Sequence, residues 1–259
     1  MITLTSGQIE AWLAQVIWPF IRVGACLMVA PPFGALEVPA RLRIVLAGAI
    51  ALLIAPLVPA PAGITPFSPA GLVVTVQQIL VGVALGFTLQ VVFDAVAMGG
   101  QLLANSMGLS FAFNVDPLHG AATAALGQLY SILVTLTFLA LNGHLRVIEV
   151  LVDGFRTIPV GTSGLGSEGL WHLAGWGSQM FSGALAVALP GVTALLIVNL
   201  CFGMVSRAAP TLNLFAVGFP ITLVFGLVIV LAGLPTLQSS FVKLLQSMFL
   251  LVQGLGAGG

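Results

Sequence analysis

Residues 98–120 read MGGQLLANSMGLSFAFNVDPLHG, and they lie between two long apolar blocks of a 259-residue chain. A glycine pair, side-chain amides, the run Met107-Gly108-Leu109-Ser110-Phe111-Ala112-Phe113 and an Asp116-Pro117 turn signal follow one another within this stretch. Glycine and Asp-Pro punctuation favours turns over a straight helix. Lipid cannot hydrogen-bond an open backbone, so irregular chain at membrane depth is tolerated only where protein buries it or where it lines a cavity. The stretch therefore reads as a broken apolar segment, a candidate pathway or gate.

Composition supplies the membrane. The chain is 59% hydrophobic and 5% charged, against about 25% charged residues in an ordinary soluble domain. At about 20 apolar residues per span, the remainder fits about six long hydrophobic helices and leaves no room for a soluble domain. The expected fold is an all-α integral membrane protein, its helices in hairpins, with the broken helix or loop near residues 105–120. The formal net charge is zero, and no basic run marks nucleic-acid or anionic-lipid binding, which excludes nucleic acid as a partner. Cys26 and Cys201 have no ligand spacing and read as small buried residues. The amino-terminal residues lack the basic flank of a signal peptide and are expected to be retained.

Taken in order, residues 9–28 form the first helix, interrupted by Pro19 and Arg22, after a Thr5-Ser6-Gly7 entry that can cap it. Glu37, Pro39, Arg41 and Arg43 make a polar hinge before a second helix over 44–57. A proline-rich link leads to the third block, 70–98, which holds Gln77, Gln78, Gln90, Asp94 and one small-xxx-small pair, Gly82 and Gly86. Residues 121–141 are the fourth block. Arg146, Glu149, Asp153 and Arg156 follow on an amphipathic segment, with Glu149 and Asp153 on one face. A Gly/Ser-rich link over 157–177 carries Trp171 and Trp176, which suit an interface belt. The fifth block covers 179–205. The sixth, from near 213 to 252, passes Pro220 and Pro235 and is too long for one span.

Counting basic residues gives no orientation. Six spans place Arg41, Arg43 and Arg207 on one side and Arg146, Arg156 and Lys243 on the other, a tie under the positive-inside rule. The alternatives are a six-span scheme wrong in detail, or a final assembly in which the helices do not span independently.

No catalytic constellation emerges. Gly108-Leu109-Ser110 resembles part of an intramembrane serine protease motif, but Phe111 stands where its second glycine belongs, and no histidine has the spacing of a base. No metal-ligand spacing exists among His, Cys or Glu, and no cofactor is expected. Arg22, Asp94 and Arg207 lie in or near apolar segments, where a charge costs about 3 kcal/mol at a helix centre and needs a partner or a wet cavity. A proton-coupled small-solute transporter using Asp94 is one reading; structural pairing is the other. The run from Met107 to Phe113 has two readings as well. It is either a buried hydrophobic loop or a gate that closes a pore by excluding water.

The motifs together, in this order and at this length, resemble the flagellar biosynthetic protein FliR family. They are Arg22-Val23-Gly24, Pro32-Phe33-Gly34 with Pro39 through Arg43, and Asp94 before Gly99-Gly100. Gly108 through Ala112 with Asp116-Pro117, and Leu141-Asn142-Gly143-His144, continue the series. Arg207-Ala208-Ala209-Pro210-Thr211-Leu212-Asn213-Leu214-Phe215 with Gly218-Phe219-Pro220 closes it. The resemblance implies a non-enzymatic subunit of the flagellar type III export gate, or of its injectisome counterpart, the T-type subunit. It implies P-type and Q-type subunits as partners, other membrane components of the apparatus, unfolded secreted proteins as cargo, and the bacterial inner membrane at the basal body. It also implies a P-type fold over about 1–205 followed by a Q-type helical hairpin over about 206–259. Met107, Gly108, Leu109, Ser110, Phe111, Ala112 and Phe113 would plug the channel, and Arg22, Asp94, Asp116, Pro117, Arg207, Pro210, Asn213 and Pro220 would serve structure and assembly.

Overall fold

The computed structural model describes residues 6–35, 38–58, 64–109, 125–161, 164–208 and 214–255. The described residues form helices and no strand. In chain order these are α1 Ser6–Val29, α2 Ala40–Ile54 with a 3-10 turn Ala55–Leu57, α3 Pro69–Ser106, α4 Ala125–Ala140, α5 Gly143–Thr157, α6 Ser167–Trp176, α7 Ser178–Ala208 and α8 Leu214–Gly254. Five helical stretches are long and apolar enough to cross a membrane, and α4 with α5, bent by 68° at their junction, makes a sixth if the pair is one broken span. The molecule is an all-α integral membrane protein.

α3 is the helix the others cover. Its span is 61% buried within the protein, against 11% for the span over Ser167–Val205 and 22% for Gly218–Gly254. At about 1.5 Å per residue, α3 and α8, with 38 and 41 residues, are each far longer than the roughly 30 Å hydrocarbon core. Exposed side chains such as Leu53, Leu52 and Val45 on α2 and Leu196 and Ile197 on α7 are tolerated in a membrane protein because lipid takes the place of water.

The chain divides into two compact units, and α3 contributes to both: the first comprises Met1–Val91, Phe138–Gly177 and Gln246–Gly259, the second Val92–Thr137 and Ser178–Leu245. In the first, Trp18, Val23 and Leu27 of α1 pack with Ala47, Ile50 and Ile54 of α2, Val74 of α3 and Phe155 of α5. Gln15 donates to the carbonyl of Ala55 at 3.0 Å, satisfying an acceptor where α2 ends. In the second, α3 and α7 meet through glycines: a Cβ on Gly99 would lie 2.9 Å from Val187 Cγ1, and one on Gly183 would lie 3.1 Å from Ala95. Gly183 against Leu244 and Gly191 against Ile229 run α7 and α8 antiparallel. Phe93 and Phe241 stack edge to face at 5.6 Å.

Several expectations change. Helix was expected to stop near residue 98, but α3 continues through Gly99 and Gly100 to Ser106. Both glycines are buried contact points rather than breaks, since a missing Cβ lets two helices approach: Gly100 faces Gly127, whose Cα lies 3.0 Å from where its Cβ would be. The link over 157–177 contains a helix, α6. Trp176 is not in an interface belt: it is buried, and its indole N–H donates to the Thr88 carbonyl at 3.1 Å. Trp171 is exposed. Cys201, expected to be buried, is exposed, whereas Cys26 is buried. The hairpin expected within 206–259 is one continuous helix, α8, through Pro220 and Pro235. Antiparallel α7 and α8 form the hairpin at this end of the chain instead. Helix breaks by proline are avoidable in a membrane because neighbours re-satisfy the freed carbonyls.

Candidate functional site

The run from Met107 begins at the carboxy-terminal end of α3, and the backbone there shows why the helix stops. Gly108 has φ +79°, the left-handed conformation that costs a residue with a Cβ but not glycine. Its N–H donates to the carbonyl of Asn105 at 3.0 Å, and the N–H of Leu109 reaches back to Ala104 at 3.1 Å. Paired bonds of this kind, from a left-handed residue and its successor, are a Schellman cap, which satisfies carbonyls the helix end would leave open. Ser106 Oγ bonds to Leu102 in the last turn. The break expected in this region is real, but it is a sharp stop at Gly108 rather than an irregular stretch starting near residue 98.

Met107, the last residue before the glycine, is 3% exposed. Its side chain lies on Gly226 of α8, where an added Cβ would sit 2.5 Å from Met107 Cγ and Cε and 2.8 Å from Sδ. Leu109 is half-buried. Beside the cap opens a cavity of about 680 Å³, lined from α3 by Asn105, Ser106, Met107 and Gly108, from α7 by Asn199, Phe202 and Gly203, and from α8 by Gly218, Phe219 and Thr222. Thr222 turns its hydroxyl to the Gly218 carbonyl at 2.8 Å, so it presents mainly its methyl to neighbours. The walls are therefore apolar with a few amides and hydroxyls. Ser110, Phe111, Ala112, Phe113, Asp116 and Pro117 lie outside the described residues, as do Pro210 and Asn213.

Arg22 is fully buried in the first unit. Nε donates to Gln78 Oε1 at 2.7 Å, Nη1 to the carbonyl of Gly154 at 3.0 Å and Nη2 to that of Ile158 at 2.9 Å. The guanidinium also stacks 4.0 Å from the centre of the Phe155 ring. Arg22 thus caps the carboxy-terminal end of α5 from another helix, where a cation also meets the negative end of the helix dipole. Gly82 and Gly86 make room for this arrangement. A Cβ on Gly82 would overlap the carbonyl oxygen of Arg22, and one on Gly86 would lie 2.7 Å from that of Cys26.

Asp94 is half-buried on α3, Arg207 exposed in the last turn of α7, and Pro220 exposed within α8. These three residues belong to the second unit and Arg22 to the first. The charges of α5 face outward, with Arg146 bonded to Glu149 at 2.6 Å. Among the described residues no three His, Cys, Asp or Glu side chains cluster. Residue-by-residue reading named Gln78 only as one amide of the third block, and missed Phe155 and Gly226. Gly226 carried a signal too, an unexplained glycine inside an apolar helix.

Residues 13–248 match the family described as bacterial export proteins, family 1. The flagellar biosynthetic protein FliR of Escherichia coli (strain K12) is 42% identical over 235 residues, covering 91% of this chain and 90% of that protein. FliR of Pectobacterium carotovorum subsp. carotovorum is 40% identical over 228 residues, covering 88% and 87%. That of Buchnera aphidicola subsp. Acyrthosiphon pisum (strain APS) is 29% identical over 248 residues, covering 96% of each.

Proposed function

Because this chain belongs to the bacterial export proteins, family 1, alongside FliR relatives, and is a membrane component of the flagellar export apparatus, we propose that it forms part of the protein-conducting channel itself. In this reading it assembles in the bacterial inner membrane, at the flagellar basal body, with P-type and Q-type subunits and further membrane components of the apparatus. Unfolded flagellar proteins are the cargo. The names of the relatives favour the flagellar branch over the injectisome. The P-like part takes the amino-terminal helices, and α7 with α8 supplies the Q-like hairpin.

The observation that carries the gate is the cap at Gly108. It ends α3 abruptly at the start of the run from Met107, beside a cavity of about 680 Å³. Large apolar side chains at such a point close a pore by excluding water, and chain passage displaces them without breaking a charge pair. Cells carrying the whole apparatus with residues 107–113 deleted should leak ions while export persists. Paired Phe111→Ala and Phe113→Ala should leak less than the deletion. Unchanged conductance in the assembled complex would sink the plug.

A further inference from the structure

We propose that Gly226 of α8 is a socket for Met107, and that this pairing positions the plug by pinning its root. The inference rests on the plug reading above and names what holds the plug in place. Three observations converge. Met107 is among the buried side chains although it stands at a helix end beside a cavity. The position a Cβ would take on Gly226 lies within 2.8 Å of three consecutive side-chain atoms of Met107. The residue after Met107 is held in the left-handed conformation by the α3 cap. The side chain and the backbone are thus fixed together, and the chain leaves α3 in one direction.

The arrangement gives Met107 a different task from its neighbours in the run. It is an anchor seated between α3 and α8, at the root of the run. Methionine suits the task because its unbranched thioether fits an irregular gap and leaves it without a large barrier. Gly226 suits it because any side chain there would occupy the same space. Thr222 and Phe219, on the same side of α8, line the cavity beside the cap. A shift of α8 along α3 would therefore withdraw the socket and free the root of the loop. Gly226 is a positioning residue: it acts on the pore through Met107.

The test separates the socket from the plug. In cells carrying the complete apparatus, with Cys26→Ala and Cys201→Ser, the pair Met107→Cys and Gly226→Cys should form a disulfide readily under mild oxidation. No cross-link, with the double-cysteine chain incorporated, would overturn the socket whatever the loop does. Gly226→Leu should raise ion conductance severalfold with co-purification of the partner subunits unchanged, and Gly226→Ala should raise it less, because Met107 can swing its terminal methyl aside. Adding Met107→Gly to Gly226→Leu moves the knob to the other helix and should return conductance toward wild type, a rescue that general destabilisation would not show. Failure of that rescue overturns the positioning role. A cross-link that forms, together with conductance indifferent to all these variants, would leave the socket standing and remove the plug.

Discussion

Two stretches of α3 show how differently one helix can be used. Along Gln78, Gly82 and Gly86, in the first unit, the buried charge is met: Arg22 lies against the helix, donates to Gln78, and reaches two carbonyls at the end of α5. The glycines there leave no spare volume. At Ser106 to Leu109, in the second unit, the helix is stopped by its own backbone and opens on a cavity of about 680 Å³. A stretch that is closed on all sides contributes to folding. A stretch that is capped but open can change shape without unfolding the protein, which is what a gate in a conducting channel requires.

Substitution should separate the two. The largest effect is expected at Arg22. Arg22→Ala leaves Gln78 Oε1 and the Ile158 carbonyl without their buried donors and takes one of two donors from the Gly154 carbonyl, which keeps the Ile158 N–H, and at about 1–3 kcal/mol for each of the two unsatisfied groups the loss should be about 2–6 kcal/mol. The expected outcome is strongly reduced protein in the membrane and a lowered Tm in detergent. Arg22→Lys should recover only part, since an ammonium cannot reproduce the three-way fork. Normal accumulation of Arg22→Ala would erase the contrast between the two stretches. A smaller loss is expected from Gly82→Ala, where the new methyl meets the Arg22 carbonyl oxygen and forces α1 and α3 apart, at about 1–3 kcal/mol. Thermal unfolding of the purified complex measures it, and conductance should not change beyond what lost protein explains. A leak per assembled channel in Gly82→Ala would show that the closed stretch also serves the gate.

How much of this was legible in residue order follows from the range of each interaction. The membrane class and the apolar blocks were legible because hydropathy is a local average over about 20 residues. That helix gives way between residues 98 and 120 was legible because glycine carries its conformational preference with it, although the stop lies at Gly108 and not near residue 98. What was misread required knowing a neighbour. Gly99 and Gly100 look like a break, yet they pack on Val187 and Gly127. Trp176 looks interfacial, yet it bonds 88 residues away. Arg22 was recognised as a charge in need of partners, but its acceptors stand 56, 132 and 136 residues away and are mostly backbone, which has no signature in sequence. The long last block was legible as one stretch past Pro220 and Pro235, because its apolar character is continuous, and α8 runs through both prolines.

The smallest stability effect belongs to Gly108, and it is the sharpest test of the comparison. Gly108→Ala asks a residue with a Cβ to hold φ +79°, at about 1–2 kcal/mol. If the residue instead relaxes to helical geometry, the bonds to Asn105 and Ala104 are exchanged for ordinary helical ones, and α3 grows into the run it now ends. In either case the direction in which the chain leaves the helix is altered, while the buried contacts of the first unit are untouched. Protein level and Tm should fall slightly, and conductance through the assembled channel should rise by more than that loss explains. Gly108→Asn, which tolerates the left-handed conformation better than alanine, should lie between alanine and wild type in both measurements. Equal conductance for glycine, asparagine and alanine would mean that the cap does not set the path of the loop, and the open end of α3 would then be packing like the rest.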